Sequence, residues 1–387
     1  MTVQTLLGKQ IVIAVTGSIA AVETVKLIHA LRRKGAAVQP VMSSAAQGII
    51  HPDALTYASG NMTLTRISGM VEHVLFCGDG GSADLLLIAP CTANTIGKIA
   101  CGIDDTPVTT FATTALGSRM PVLVVPAMHH SMYRHPAVAE NIAKLQQWGV
   151  LFAGPKIEEG KAKIADTDEI VMWCERAVSG MPLAGKRVLI TSGACRETVD
   201  DVRVLTTRSS GRMGQALATQ AFRLGADVTI VHHDIMPGVT NIRVETAEEM
   251  RDAVHAVFKK SGADIYISAA AISDFAPERA AGKIPSGAPV TLRLIPLPKL
   301  LDEVCQQYRA IFVAFKIGED TEKPAQEMLG KGIAMVITNT KESMGGPDGA
   351  YHILTTHNDR HVSGTKEEIA IAVWEDLISN LRKSHQG

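Results

Sequence analysis

The stretch PAMHHSMYRHP sets His129, His130 and His135 within eleven residues. Imidazoles this dense suit metal ligation, proton transfer or recognition of an anionic substrate. The metal reading is the weakest. His129 and His130 are adjacent and point apart in an extended chain, and no cysteine or Glu/His pair at helical spacing joins them. The spacing alone leaves a catalytic-base cluster and a loop of another purpose open for His129, His130 and His135. A second candidate is TGSIAAVETVK. There Gly17 and Ser18 offer free backbone N–H groups at the positive end of a helix, which suits a phosphate. A third is APCTANTIG. Pro90 stops a strand, and Thr92 and Asn94 either face a ligand or cap the next helix. In the second half, TSGACRETVDDVRVLTTRSSGRMG places a Ser-Ser-Gly turn at a helix start, with Arg208 and Arg212 beside it. That is a phosphate cradle or a solvated basic loop.

These loops need rigid elements to hold them. KQIVIAVTGS and KRVLITSGAC open the two halves alike, each a β-branched run ending in a small-residue turn. AVQPVMS, ADLLLIAP and MPVLVVPA read as further strands of the first half; ADVTIVHH, ADIYISAAA, AIFVAFK and AMVITNT as those of the second. Helical patterns lie between them. One places Ala21, Val25, Ile28 and Leu31 near one face, with Gly35 as its stop; others fall near 213–224, 246–260, 320–330 and 365–382. The alternation predicts an α/β chain of two doubly wound, Rossmann-like domains, 1–176 and 186–387, joined by a Gly/Pro-containing linker at 177–185. Hydrophobic content of 46% with only 4% aromatics requires a core of Ala, Val, Ile, Leu and Met, which suits covered parallel sheets. A net charge of -1 gives no field for nucleic acid. No apolar run is long enough for a membrane span, and the N-terminus lacks the features of a signal peptide. Six scattered cysteines without a CxxC pair fit reduced thiols in a cytoplasmic protein.

Residues 8–175 resemble the homo-oligomeric flavin-containing cysteine decarboxylases through GSIAA, APCTANTIGKIACGIDD and PAMHHSMY. The resemblance implies FMN held by Gly17, Ser18, Ile19, Ser43, Thr92, Asn94 and Thr110. It implies a catalytic base at His73, in a segment about three residues longer than the commonest family pattern. Met132 and Tyr133 would meet substrate. His129 stands where most members have an asparagine that binds the substrate carboxylate, and imidazole keeps a hydrogen-bond donor there. Bacterial-type members reprotonate an enethiolate with a flap cysteine. Here the flap GPKIEEGKAKIAD has none. Lys161, Lys163, Cys91 and Cys101 are the alternative acids, and loss of the step would leave an oxidative decarboxylase releasing an enethiol.

Residues 186–382 resemble the phosphopantothenate–cysteine ligases through the Ser-Ser-Gly segment, SAAAISDFAPERAAGKI, AFKIGED and LGKGIAMVITNT. This implies nucleotide contacts from Asp274, Lys283, Pro298, Phe315 and Lys331. Ser210, Gly211 and Met213 belong to the turn, and Lys283 stabilises the transferring charge. Thr207 replaces the family's acyl-nucleotide asparagine, with Arg208 able to compensate. The order of the halves resembles the bifunctional coenzyme A biosynthesis family. It implies ligation of 4'-phosphopantothenate to L-cysteine with CTP and Mg2+, then decarboxylation to 4'-phosphopantetheine. Decarboxylase trimers combined with ligase dimers imply a homo-oligomer, with twelve subunits as the family arrangement. Two alternatives stay open at this level: a ligase with a degenerate decarboxylase half, and a non-catalytic flavin-binding regulatory subunit.

Overall fold

The computed structural model describes residues 3–158, 161–343 and 345–384. The chain divides into two compact units, Met1–Met181 and Pro182–Gly387. The division falls inside the expected linker, but Ala177 and Val178 close a helix, and Leu183 is buried.

The first unit contains β1 (Gln10–Val15), α1 (Thr24–Arg33), β2 (Ala37–Met42), α2 (Glu72–Cys77), β3 (Leu85–Cys91), α3 (Ala93–Cys101), α4 (Pro107–Gly117), β4 (Val122–Pro126), α5 (Pro136–Gln147), β5 (Leu151–Phe152) and α6 (Thr167–Val178). The strands form one parallel sheet in the order β2-β1-β3-β4-β5. Its strands are apolar throughout because both faces are covered. Ile11, Ile13, Val15, Leu85 and Leu87 enter the core shared with α1 and α6. Val12, Ala14, Leu86 and Ile88 enter the opposite one, with α3, α4 and α5. Each fully buried aliphatic side chain contributes about 1.5–3 kcal/mol of transfer free energy. Gly35 stops α1 with φ +97°, and a Cβ there would lie 2.9 Å from the Leu7 Cα. The chain order reverses between β1 and β3, so their C-terminal ends frame a ligand crevice.

The second unit contains β6 (Arg187–Thr191), α7 (Arg212–Arg223), β7 (Asp227–His232), β8 (Thr240–Arg243), α8 (Ala247–Lys260), β9 (Ile265–Ser268), α9 (Leu300–Gln307), β10 (Ile311–Ile317), α10 (Glu322–Gly330), β11 (Met335–Asn339), β12 (Asp348–Thr355), β13 (Asp359–Thr365) and α11 (Lys366–Ser384). The order is β8-β7-β6-β9-β10-β11-β12-β13. The parallel part matches the expected doubly wound sheet, reversing between β6 and β9. The antiparallel hairpin β12–β13 at one edge was not expected from the sequence. Its turn has no glycine. It is closed by Thr355, whose N–H donates to the Asn358 carbonyl at 2.9 Å and whose hydroxyl accepts from the Asn358 N–H at 2.8 Å. Trp374 of α11 is fully buried and donates its indole N–H to the Leu217 carbonyl at 3.0 Å, fastening α11 to α7.

Candidate active sites

In the first unit, the loops after β1, β3 and β4 surround a cavity of about 460 Å³. Gly17, Ser18, Ile19, Thr92, His129 and Met132 line it, joined by Ala20, Ala93, Ala127, Met128, Lys163 and Ile164. Six sequence-predicted positions therefore meet in one place. Thr92 also caps α3, accepting from the Thr95 N–H at 3.3 Å, so the two readings of that residue coexist. Gly17 is glycine for packing, since a Cβ would come 2.6 Å from that of Ala45. The Ser18 N–H is not free as expected. It donates to the Thr16 carbonyl at 2.8 Å, because the turn after β1 is tight and leads into a 3-10 segment, Ile19–Glu23, ahead of α1.

The cavity fits a planar aromatic cofactor. Ile19 and Met132 are 78% and 48% exposed on its wall. Large apolar side chains left open beside hydroxyls of Ser18 and Thr92 match a ring that is apolar on its faces and polar at its edge.

Ser43, Asn94 and Thr110 do not line this cavity. Ser43 caps the turn Ser44–Gln47, Asn94 is exposed, and Thr110 donates to the Thr106 carbonyl at 2.9 Å. Tyr133 is half-buried against the apolar core, which pushes its phenol up. His130 has a buried Nδ1 without a hydrogen-bond partner among the described residues, whereas His135 caps α5, accepting from the Ala137 N–H at 3.2 Å. His73 also stands outside the cavity. It sits on α2 with its ring edge-on to Phe111 at 6.4 Å, and its buried Nδ1 has no partner among the described residues.

Among the alternative proton donors with described side chains, Lys163 alone lines the cavity. Cys91 is buried in the core, and burial pushes its thiol up. Cys101 is exposed at the end of α3. The Lys161 side chain lies outside the described residues.

In the second unit, the Ser-Ser-Gly turn is shared by two cavities. One, of about 110 Å³, is lined by Ser209, Ser210, Gly211, Arg212, Met213, Phe315, Asn339, Tyr351 and Lys366, with Ala269–Ala271. The other, of about 190 Å³, is lined by the same Ser209, Ser210 and Gly211 together with Ser192, Gly193, Arg196, Thr207, His232 and His233. Gly211 opens α7 with φ +71°, a conformation that glycine adopts freely. Gly214 lets the helix lie on Ser192, where a Cβ would meet its Oγ at 2.3 Å. Thr207 donates to the Ala271 carbonyl at 3.3 Å, tying the turn to the end of β9.

Arg208, Asp274, Lys283, Pro298 and Lys331 line neither cavity and are exposed. Lys283 nonetheless adjoins an anchored residue. The Ile284 N–H donates to Asp200 Oδ2 at 3.0 Å, and Asp200 also accepts from the Val202 and Arg203 N–H groups at 2.8 and 2.7 Å. Burial opposes the Asp200 charge. Those N–H groups and the Arg203 guanidinium outweigh it and hold the carboxyl at about 2.

Lys366 was not singled out by sequence. Its side chain is 7% exposed, and its ammonium donates to the Ser343 and Asp348 carbonyls at 2.9 and 3.2 Å and to the Tyr351 hydroxyl at 2.6 Å. Among the described residues no carboxylate pairs with it. Burial lowers its pKa, against the pull of Asp348, and Arg212 adds to the lowering. A lone lysine opening a helix carries no motif. Only the hairpin β12–β13 reveals its partners.

Residues 2–179 match the Flavoprotein family, and residues 183–381 match the DNA/pantothenate metabolism flavoprotein C-terminal domain. The coenzyme A biosynthesis bifunctional protein CoaBC of Thermococcus kodakarensis is 44% identical over 385 residues, covering 96% of this chain and 95% of the relative. The protein of that name from Methanocaldococcus jannaschii is 36% identical over 384 residues, covering 96% and 93%. That from Escherichia coli is 30% identical over 393 residues, covering 94% and 95%. With a flavin-type cavity in the first unit and a phosphate-type turn in the second, and with both matched in order along nearly the whole chain, the protein belongs to the bifunctional coenzyme A biosynthesis family, a flavoprotein decarboxylase joined to a ligase.

Proposed function

We propose that the second unit joins 4'-phosphopantothenate to L-cysteine with CTP and Mg2+, and that the first decarboxylates the product with FMN. The observation that carries the ligase reading is the Ser209–Gly211 turn shared by two cavities. Acyl activation needs two anionic substrates to meet at one phosphate-binding element. A carboxylate oxygen attacks the α-phosphorus of CTP and pyrophosphate leaves. The cysteine amine then attacks the acyl carbon and CMP leaves, carrying one carboxylate oxygen. The N–H groups at the start of α7 favour the charge on phosphate, and Mg2+ travels with the phosphates. Phosphopantothenate labelled with 18O in its carboxylate tests this order. Label should appear in CMP, whereas label confined to the amide product and water would exclude the acyl-nucleotide.

Lys366 serves this reading as a buried positive charge at the cavity wall whose counter-anion is the substrate. It also orients Tyr351 by donating to its oxygen. Lys366→Gln is expected to raise the KM for CTP at least about tenfold, with a smaller fall in kcat, because ground-state and transition-state phosphates lose the same attraction. Steady-state kinetics at fixed cysteine checks it. A kcat loss with unchanged KM would contradict this, placing the Lys366 contribution in the transition state alone.

In the first unit, Gly17, Ser18, Ile19, Thr92 and Met132 would hold the flavin. When bound, it supplies the oxidation and later reduction of the substrate's cysteinyl carbon. His129 receives the carboxylate that is lost as CO2. Lys163 protonates the enethiolate that remains, in place of the absent flap cysteine. In a single turnover, Lys163→Gln is expected to keep CO2 release, leave the flavin reduced and divert most product to the enethiol, read by mass spectrometry. Unchanged phosphopantetheine as sole product would remove Lys163 from the step.

His73 lies off its own chain's cavity, so it acts on the cavity of a neighbouring subunit. Met70, Val71, Val74 and Leu75 support this. All are exposed around α2, Leu75 by 53%, which is an apolar surface of the kind buried between subunits. Leu75→Asp is expected to split the assembly and abolish decarboxylation while the isolated fold persists. Light scattering with circular dichroism checks it. A folded monomer with full decarboxylase activity would refute the shared site.

A further inference from the structure

The edge hairpin β12–β13 carries three side chains of metal-ligating type on one face. His352 and His361 are directly opposed across the two strands, and Asp359 precedes His361 by two residues, so all three project to the same side. Counting from the Thr355–Asn358 bond that closes the turn, His352 and His361 fall on a non-hydrogen-bonded pair, the pairing that brings side chains closest. Their rings stack with centroids 3.9 Å apart and planes 13° from parallel. The His352 Nε2 meets the Asp359 carboxylate. One ligand atom from each residue lies within 4.8 Å of the other two. Tyr351, the preceding residue, points to the opposite face and the Lys366 ammonium, so this cluster is separate from the ligase cavities.

We propose that His352, Asp359 and His361 bind a divalent transition cation of the zinc type, with water completing the shell. Two imidazoles and one carboxylate are a ligand set that zinc accepts, at about 2.0–2.2 Å each, and calcium or magnesium does not. Such bonds need the three atoms roughly 3.3 Å apart, so the cluster must tighten. It must also turn, because a cation between stacked rings lies outside both planes. Both adjustments use soft coordinates. The histidine ring torsion is broad, and the Asp359 side chain is 64% exposed, while His352, at 20%, is the fixed post. A cation here links the last two strands of the sheet.

The test is calorimetric titration of the chelator-treated full-length chain with Zn2+, followed by thermal melting with and without the ion. One equivalent per chain is expected, with a rise in Tm. His361→Gln and Asp359→Asn, both at exposed positions, should each weaken binding more than about tenfold and remove the Tm rise. His357→Gln, in the turn, should bind as the wild type does. The proposal is overturned by a wild type without a stoichiometric event. It is equally overturned if the His361 and Asp359 variants keep wild-type affinity, or if His357→Gln loses as much as they do.

Discussion

His73→Asn is expected to retain flavin and lose decarboxylation by about 10²–10⁴-fold, the range a general base supplies. The expectation combines two placements. The ring is absent from its own chain's cavity, lined by Gly17 and Thr92, so removing it leaves those cofactor contacts in place. Its Nδ1 is nevertheless buried without a partner among the described residues, an arrangement that costs about 1–3 kcal/mol unless something else satisfies it. A neighbouring subunit bringing flavin and substrate would do so. Visible absorbance of the purified variant reports the flavin, and CO2 release reports the chemistry. Full turnover by the variant would transfer the base role to His129 or to His130, whose Nδ1 is likewise unsatisfied.

Lys283→Gln should suppress cysteine ligation by about 10²–10³-fold, the loss seen when a group stabilising transition-state charge is removed, and leave decarboxylation intact. Lys283 is exposed beside Ile284, whose backbone is pinned to Asp200. The pin fixes where the loop emerges while the lysine side chain extends from it, as a group that engages phosphates only with substrate present would. The two compact units make the decarboxylase an internal control. Comparing both rates in one preparation separates chemistry from misfolding. Equal loss of both activities by a folded variant would show that the units do not work independently.

The parallel sheets were legible because strands buried on both faces read as unbroken apolar runs, and β1, β3 and β6 stand out for that reason. The first cavity was legible where a loop directly follows a strand, as at Gly17, Thr92 and His129. Lys163 could be named but not selected, since its approach depends on tertiary folding. The hairpin β12–β13 was missed because its turn uses the Thr355 hydroxyl instead of glycine, and its second strand is polar at the sheet edge. Lys366, Tyr351 and the histidine cluster were missed with it. Asp200 sits inside a recognised motif, yet its role as anchor appears only when Ile284, far along the chain, returns to it.

A chain that joins the ligase and decarboxylase units can be assayed for both chemistries in one vessel. The most direct measurement supplies the purified protein with phosphopantothenate, cysteine and CTP, and follows pyrophosphate and CO2 together. Pyrophosphate is expected first, then CO2 approaching one equivalent per pyrophosphate, with phosphopantetheine as the product. Pyrophosphate with accumulating phosphopantothenoylcysteine and no CO2 would contradict this expectation, leaving a ligase whose flavin unit does not turn over.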